Sequence, residues 1–133
     1  MALVKSEVKD EIRVIFVDVA RLVDGGVIEQ CYREIVDLLD KTEESNVLLH
    51  FGRVAFMSSA ALGMLIRVQK KCKGYEIALK LSNISPDIVQ VFKITGLDKV
   101  FDIRADAADA IDAFKASGKS FFRTQRETRH ELK

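Results

Sequence analysis

The chain has 133 residues and a net charge of +1, and 48% of its residues are hydrophobic. This length and composition are typical of one globular domain with a single core. The near-neutral charge gives the whole molecule no strong attraction to nucleic acid or to an anionic membrane. No apolar run approaches the ~18 residues of a membrane span, and the first residues become polar too early for a signal peptide. We therefore expect a cytoplasmic protein with no membrane insertion and no direct nucleic-acid contact.

The charge is unevenly distributed along the chain. After Gly118 there are five Lys or Arg residues against two Glu, so the tail carries +3 and the preceding residues carry −2. The tail also lacks a sustained apolar period. We predict a globular domain over residues 1–117 and a basic extension over residues 118–133 that is partly disordered or helical. Cys31 and Cys72 fall within apolar helical patterns, which indicates buried free thiols.

The hydrophobic periodicity alternates between strand and helix spacing. In chain order, the predicted elements are strands over 2–8 and 11–17, a helix over 26–42, a strand over 47–51, a helix over 59–73, a strand over 76–81, a helix between Ser85 and Gly96, a strand over 100–103 and a helix over 106–115. The order ββαβαβαβα predicts an α/β fold. We expect a mixed, mainly parallel sheet of four to five strands with about four helices, because strand–helix–strand units connect parallel strands.

The ends of two helices carry their own sequence signals. Ser85 precedes Pro86, which is a strong helix start because serine caps the free N–H groups and proline fits the first turn. Gly74 and Gly96 are predicted to end the second and third helices, since glycine tolerates positive φ. In the third helix, Val91 is among the residues predicted to face the core.

The sequence contains no arrangement of residues that predicts catalysis or a cofactor. His50 lies within an apolar strand, where a packed structural role is the better interpretation, and no Cys/His spacing predicts a metal site. No glycine-rich phosphate loop occurs. Asp18 and Asp24 could suggest Mg²⁺, but that chemistry would need an aspartate at the end of the central strand, where this chain has Phe51-Gly52. We expect neither an enzyme nor a bound metal or cofactor.

Two basic or aromatic segments have open interpretations. Arg67, Lys70, Lys71 and Lys73 could form a docking stripe on the second helix, although a solvated helix face is the better interpretation. The pair Phe121-Phe122 could contact a membrane or nucleic acid, or pack back onto the domain, which we favour.

The most informative stretch is Val54-Ala-Phe-Met-Ser-Ser-Ala-Ala-Leu-Gly63, where a predicted strand meets a predicted helix. Ser58 and Ser59 stand at this join. A serine at a helix start commonly caps the helix, and its loss typically costs ~1 kcal/mol. The same position tolerates a phosphate, because a helix start offers free N–H groups and a positive dipole end. A phosphate would add about −1.5 to −2 charge and would alter what a partner meets there.

This stretch resembles the central motif of the STAS domain family, and within it the bacterial anti-sigma factor antagonists. Phe56-Met57 match the motif's apolar lead, and Leu62-Gly63 match its end. A second match covers residues 81–103 and includes the family's Thr-Gly-Leu turn and short last strand. The two matches occur in the family's order, and the resemblance extends over roughly residues 5–116.

The resemblance assigns roles to individual positions. Ser59 falls on the serine that the partner kinase phosphorylates in the family. Ser58 stands where the family has an aspartate, which makes Ser58 a second candidate phosphorylation site. Ala60 replaces the family's second hydroxyl residue, and Ala61 replaces its usual glycine. Asp24 is a loose match to an acidic residue near the phosphoserine.

The resemblance implies a partner switch. The unmodified protein would bind an anti-sigma factor that is also a serine protein kinase, and so release a sigma factor. Phosphorylation of Ser59 would break that complex, and a separate phosphatase would restore it. The implied partner-binding residues are Asp24, Met57, Ser58, Ser59, Ala60, Ala61, Leu62, Gly63 and Arg67. The alternative is a non-switching STAS interaction subunit of a larger assembly, such as a stress-sensing complex or a lipid transporter.

Overall fold

The structure, a computed structural model, describes residues 2–117. It contains seven strands and four α-helices within that range. In chain order they are β1 (Val4–Lys9), β2 (Ile12–Val17), β3 (Arg21–Leu22), α1 (Gly25–Lys41), β4 (Asn46–His50), β5 (Phe56–Met57), α2 (Ser59–Gly74), β6 (Ala78–Ser82), α3 (Pro86–Thr95), a 3₁₀ turn (Leu97–Lys99), β7 (Asp102–Arg104) and α4 (Ala107–Ala116).

Five of the strands form one mixed sheet in the order β1-β2-β4-β6-β7. The β1–β2 hairpin is antiparallel, and every other neighbouring pair in this sheet is parallel. Both the fold class and the mainly parallel sheet predicted from the sequence are confirmed. The structure adds a second, two-stranded parallel sheet, β3–β5, whose residues lie between the predicted elements.

The core has two parts, one on each face of the main sheet. The larger cluster joins α1, α2 and α3 to the sheet through residues such as Ile35, Leu65 and Phe92, which are fully buried. The smaller cluster packs α4 against the other face through Ile111 and Phe114. Successive residues on β2 and β4 alternate between these clusters, because successive side chains of a strand point to opposite faces.

The predicted start of α3 and the predicted ends of α2 and α3 are confirmed by the backbone. Ser85 caps α3, where its Oγ accepts a hydrogen bond from the backbone N–H of Ile88, and Gly96 ends the helix with φ of 79°. Gly74 ends α2 as predicted, although it does so without positive φ. It is the last helical residue, and the positive φ of 60° falls two residues later, at Glu76. The sequence signal therefore located the helix end, and the turn that follows it uses a residue other than glycine.

Val91 was wrongly predicted to face the core. Its side chain is 40% exposed, whereas Ile88 and Phe92 are buried. A helix as short as α3 can cover the sheet with a narrow stripe only, and Val91 falls outside that stripe. The predicted boundary near Gly118 stays a prediction, and the basic extension lies outside the described residues.

Candidate functional site

The two-residue strands β3 and β5 bring the starts of α1 and α2 together. They pair in parallel, with Leu22 opposite Met57. The backbone N–H of Ser58 continues this pairing by donating to the Leu22 carbonyl at 2.9 Å. Helix α1 begins at Gly25 and α2 begins at Ser59, each shortly after its strand. Two helix N-termini, each with free N–H groups and a positive dipole end, therefore lie side by side at one edge of the molecule.

Ser58 and Asp24 have equivalent roles at these two helix starts. The Ser58 Oγ accepts a hydrogen bond from the backbone N–H of Ala61 at 3.3 Å, and its backbone is extended, as expected of a capping residue. The Asp24 Oδ2 accepts from the backbone N–H of Val27 at 3.0 Å. The side chain of Ser58 is thus occupied by the helix it begins.

Ser59 differs from its neighbour in both exposure and bonding. It is the first residue of α2 and is exposed, whereas Ser58 is half-buried. Among residues 2–117, the Ser59 hydroxyl has no hydrogen-bond partner. Its oxygen is therefore open to a phosphoryl donor, and the nearby free N–H groups favour an anion at this position.

Substitutions at Ser58 should separate its capping role from any role in signalling. Ser58→Ala removes the acceptor for the Ala61 N–H, so we expect the free energy of unfolding to fall by ~1 kcal/mol. Ser58→Asp supplies a carboxylate acceptor at the positive end of the helix and should keep wild-type stability. Urea unfolding followed by circular dichroism measures both values. Equal stability of Ser58→Ala and the wild type would show that the cap contributes nothing.

An exposed apolar rim adjoins these helix starts. Phe56 is 55% exposed and Val23 is 41% exposed, and the Arg21 guanidinium carbon lies 4.6 Å from the centre of the Phe56 ring. Sequence reasoning missed Val23 and Arg21 as candidate site residues. The alternation of Arg21, buried Leu22 and exposed Val23 was a strand signal, but it is too short to stand out in a sequence.

The remaining candidate residues on α2 divide into exposed and buried sets. Ala60 and Gly63 are exposed, and a Cβ added at Gly63 would meet no atom within 4 Å. The start of α2 is thus a smooth surface with little side-chain bulk. Ala61 and Leu62 are buried in the core, so their side chains position the helix and are not open to a partner. Met57, on β5, is half-buried and packs against the larger core cluster.

Arg67 links α2 to α1. Its Nη1 donates to the Glu29 Oε2 at 3.1 Å, and its guanidinium carbon lies 3.8 Å from the centre of the Tyr32 ring. The hydrogen bond to Glu29 is the main cause of the raised pKa of the Arg67 guanidinium. Arg67 is half-exposed and lies two turns beyond Ser59, so the structure separates it from the helix starts where the other candidates gather.

Comparison with known proteins identifies the family. The family model for the STAS domain matches residues 4–110. The chain belongs to the STAS domain family. It is 30% identical over 96 residues to BtrV of Bordetella bronchiseptica, which is named as an anti-sigma factor antagonist, with 72% of this chain and 82% of BtrV covered. It is 28% identical over 105 residues to the anti-sigma-B factor antagonist of Bacillus subtilis, covering 79% and 94% of the two chains.

Solved structures show the same fold as this STAS domain. The unphosphorylated form of the anti-sigma factor antagonist SpoIIAA superposes with a TM-score of 0.68 at 24% identity, covering 85% of this chain and 96% of SpoIIAA. The phosphorylated form of SpoIIAA from Bacillus superposes with a TM-score of 0.61 at 25% identity, covering 84% and 98%. The resemblance inferred from residues 54–63 and 81–103 is confirmed.

The other reactive side chains of the STAS domain are packed or hydrogen-bonded. The His50 Nδ1 accepts from the backbone N–H of Gly52 at 3.1 Å, and its ring centre lies 4.9 Å from that of Phe16. Burial lowers the pKa of the His50 imidazole. Burial, with the nearby Glu34 carboxylate, raises the pKa of the Cys31 thiol to about 12, so this thiol stays protonated at neutral pH.

The described residues contain neither a metal-binding cluster nor a helix able to span a membrane. Over residues 2–117, no group of three or more His, Cys, Asp or Glu side chains is placed to hold a metal ion. Within the same range, no helix of this STAS domain combines the length and the apolar character that a membrane crossing requires.

Proposed function

We propose that this STAS domain is an anti-sigma factor antagonist whose partner binding is switched off by phosphorylation of Ser59. The observation that carries the proposal is the difference in hydrogen bonding and exposure between two adjacent serines. Ser58 is committed to capping α2, while the Ser59 hydroxyl is exposed and makes no hydrogen bond to any residue in the described part of the chain. The relatives named as anti-sigma factor antagonists support the same function.

The departure of Ser58 from the family's aspartate is compatible with this proposal. Serine and aspartate are both preferred at helix N-caps, for the same reason: each offers a side-chain oxygen to a free backbone N–H. Ser58 keeps that geometry with Ala61. The substitution therefore preserves the presentation of Ser59 while removing one negative charge beside it.

The unmodified surface suits a protein partner. Phe56 and Val23 supply exposed apolar area, while Ala60 and Gly63 let a partner approach the helix closely. Aromatic side chains are enriched at the centres of protein interfaces, where burial of their large area supplies much of the affinity. Arg21 beside Phe56 adds a cation at the edge of this rim.

Phosphorylation would change this surface more than it would change the fold. The pairing of Leu22 with Met57 brings together the two helix starts at which Asp24 and Ser59 lie. The helix N–H groups attract the phosphate and the Asp24 carboxylate at the neighbouring helix start repels it. Because Ser59 is exposed, the new charge would stand where a partner would dock. A dianion buried in an apolar interface without a cation to pair with it is strongly unfavourable.

The partner, and not this chain, would catalyse the phosphorylation that operates the switch. In our proposal the anti-sigma factor is a serine protein kinase that binds ATP. The Ser59 oxygen attacks the γ-phosphorus, ADP leaves, and the hydroxyl proton passes to a base on the kinase. A phosphatase returns the hydroxyl by hydrolysis. The STAS domain itself catalyses nothing, binds no cofactor, and acts in the cytoplasm without contacting nucleic acid directly.

The proposal is tested by titrating the purified chain with the kinase-type anti-sigma factors of the same genome, each already bound to its sigma factor. We expect one of them to bind the unmodified chain and release the sigma factor, seen as a free peak in size-exclusion chromatography. If none binds, the partner-switch proposal is wrong and the non-switching interaction subunit becomes the better interpretation.

A further inference from the structure

An open groove of about 420 Å³ lies between α1 and α2, away from the helix starts. Its lining is predominantly apolar in surface and basic in charge. The residues that line it are Tyr32, Arg67, Lys70, Lys71, Gly74 and Tyr75. We call this feature the α1–α2 groove.

Contacts between the helices hold the aromatic walls of the α1–α2 groove in place. The Arg67 guanidinium stacks on the Tyr32 ring and bonds to Glu29. At the other end, the Tyr75 hydroxyl donates a hydrogen bond to the Asp40 carboxylate. A groove whose walls are fixed in this way loses little conformational entropy when it is occupied, which favours binding.

The edge of the α1–α2 groove carries two lysines whose positive charge is not neutralised by carboxylates of the described residues. Glu29 offsets the charge of Arg67. Lys70 and Lys71, by contrast, form no ion pair with any carboxylate within residues 2–117. The Lys71 Nζ lies 5.7 Å from the centre of the Tyr75 ring. Lysines in a last helical turn also favour the helix dipole, but that effect does not require an aromatic groove beside them.

The charge selects the class of occupant. The extension of this chain after Gly118 carries +3, so the lysines at the edge of the groove would repel it. A segment with carboxylates would be attracted, and an apolar side chain on the same segment would fill the space between Tyr32 and Tyr75. An acidic peptide segment with an apolar anchor therefore complements both the charge and the shape of the groove.

The groove continues the exposed face of α2 on which Ser59 lies. Ser59, Gly63, Lys70 and Gly74 are exposed and recur at helical spacing on this face. Lys70 follows Ser59 by eleven positions, which corresponds to ~16 Å along the helix axis at 1.5 Å per residue. One protein partner can therefore contact the start of α2 and the groove together.

We propose that the α1–α2 groove docks an acidic, apolar-anchored segment of the anti-sigma factor, as a second contact that does not depend on the state of Ser59. This inference rests on the proposed function, because it assigns the second contact to the same partner. A docking site remote from Ser59 would hold the kinase near its substrate and raise the effective concentration of the serine. It would also add to the choice of one anti-sigma factor over others.

The test compares two charge-reversed variants with identical net charge. Lys70→Glu/Lys71→Glu places carboxylates at the edge of the groove, while Lys93→Glu/Lys99→Glu makes the same change at exposed positions outside the groove. Calorimetric titration with the anti-sigma factor should show Kd raised about tenfold or more for the groove variant at low salt, and by less than about threefold for the control. The effect should shrink as salt is added, because exposed charges are screened.

A third variant probes the apolar part of the groove without changing charge. A Cβ added at Gly74 would meet no atom within 4 Å, so Gly74→Leu is expected to fold and to fill the groove. It should raise Kd several-fold while leaving the thermal midpoint unchanged or higher, since leucine favours helix over glycine.

The outcomes distinguish the groove from the switch. If the wild type binds, Ser59→Asp does not, and both groove variants bind like the wild type, the groove proposal is wrong and the switch stands. If only the Lys70→Glu/Lys71→Glu and Gly74→Leu variants lose affinity, the groove is supported and Ser59 is not the switch. If no kinase-type anti-sigma factor binds the wild type, both proposals fall.

Discussion

Replacing Ser59 with aspartate is expected to weaken binding of the anti-sigma factor by about 100-fold or more, because a carboxylate buried without a cation costs several kcal/mol. Ser59→Ala should bind within about threefold of the wild type, since it removes a hydroxyl that makes no bond inside the described domain. Calorimetric titration with the purified partner measures both constants.

Ser58→Asp provides the matched control for this experiment. It introduces the same charge one residue earlier, but there the carboxylate is expected to fold back onto the Ala61 N–H and cap the helix, as Ser58 does. We therefore expect Ser58→Asp to bind with nearly wild-type affinity. Equal losses at Ser58→Asp and Ser59→Asp would mean that general negative charge at this edge weakens binding, and the specific role of Ser59 would be wrong.

Leu22→Ala is expected to have the largest effect on stability among changes near the site, lowering the free energy of unfolding by ~2–5 kcal/mol. Leu22 is 0% exposed and belongs to the larger core cluster, although its strand has only two residues. Removing it leaves a cavity beneath the pair β3–β5. That pair aligns the starts of α1 and α2, so partner affinity should fall with stability.

Val23→Ala tests whether burial explains the effect at Leu22. Val23 is the next residue and is substantially exposed. Its truncation should change stability by less than ~0.5 kcal/mol, as is usual at surface positions. Urea unfolding of both variants gives the comparison. If Leu22→Ala is no less stable than Val23→Ala, β3 does not anchor the site as the structure indicates.

The sequence was sufficient to predict the elements whose signals are local. The five strands of the main sheet and the four helices follow from periodicity, and the start of α3 follows from Ser85-Pro86. The pair β3–β5 could not be predicted in this way. Two-residue strands carry no period, and their pairing joins segments more than thirty residues apart. Gly74 marks the end of α2 as predicted, but the positive φ of the following turn falls at Glu76, which a glycine signal could not indicate.

The candidate site was predictable in part for the same reason. Ser58 and Ser59 are recognisable as a helix start from sequence, but the assignment of the cap to Ser58 needs the hydrogen bond to Ala61. The rim and the α1–α2 groove both combine residues from distant segments, such as Phe56 with Arg21. Patterns within one segment cannot reveal such surfaces.

The central claim is that Ser59, and not Ser58, carries the switch. The most direct test is to incubate the chain with the anti-sigma factor that binds it and with ATP, and to locate phosphate by mass spectrometry of the digested protein. We predict one phosphate, on Ser59, with none on Ser58, because Ser58 is half-buried and its oxygen is hydrogen-bonded to the helix it caps. Phosphate on Ser58, or an unmodified chain after incubation with a binding kinase, would contradict the account.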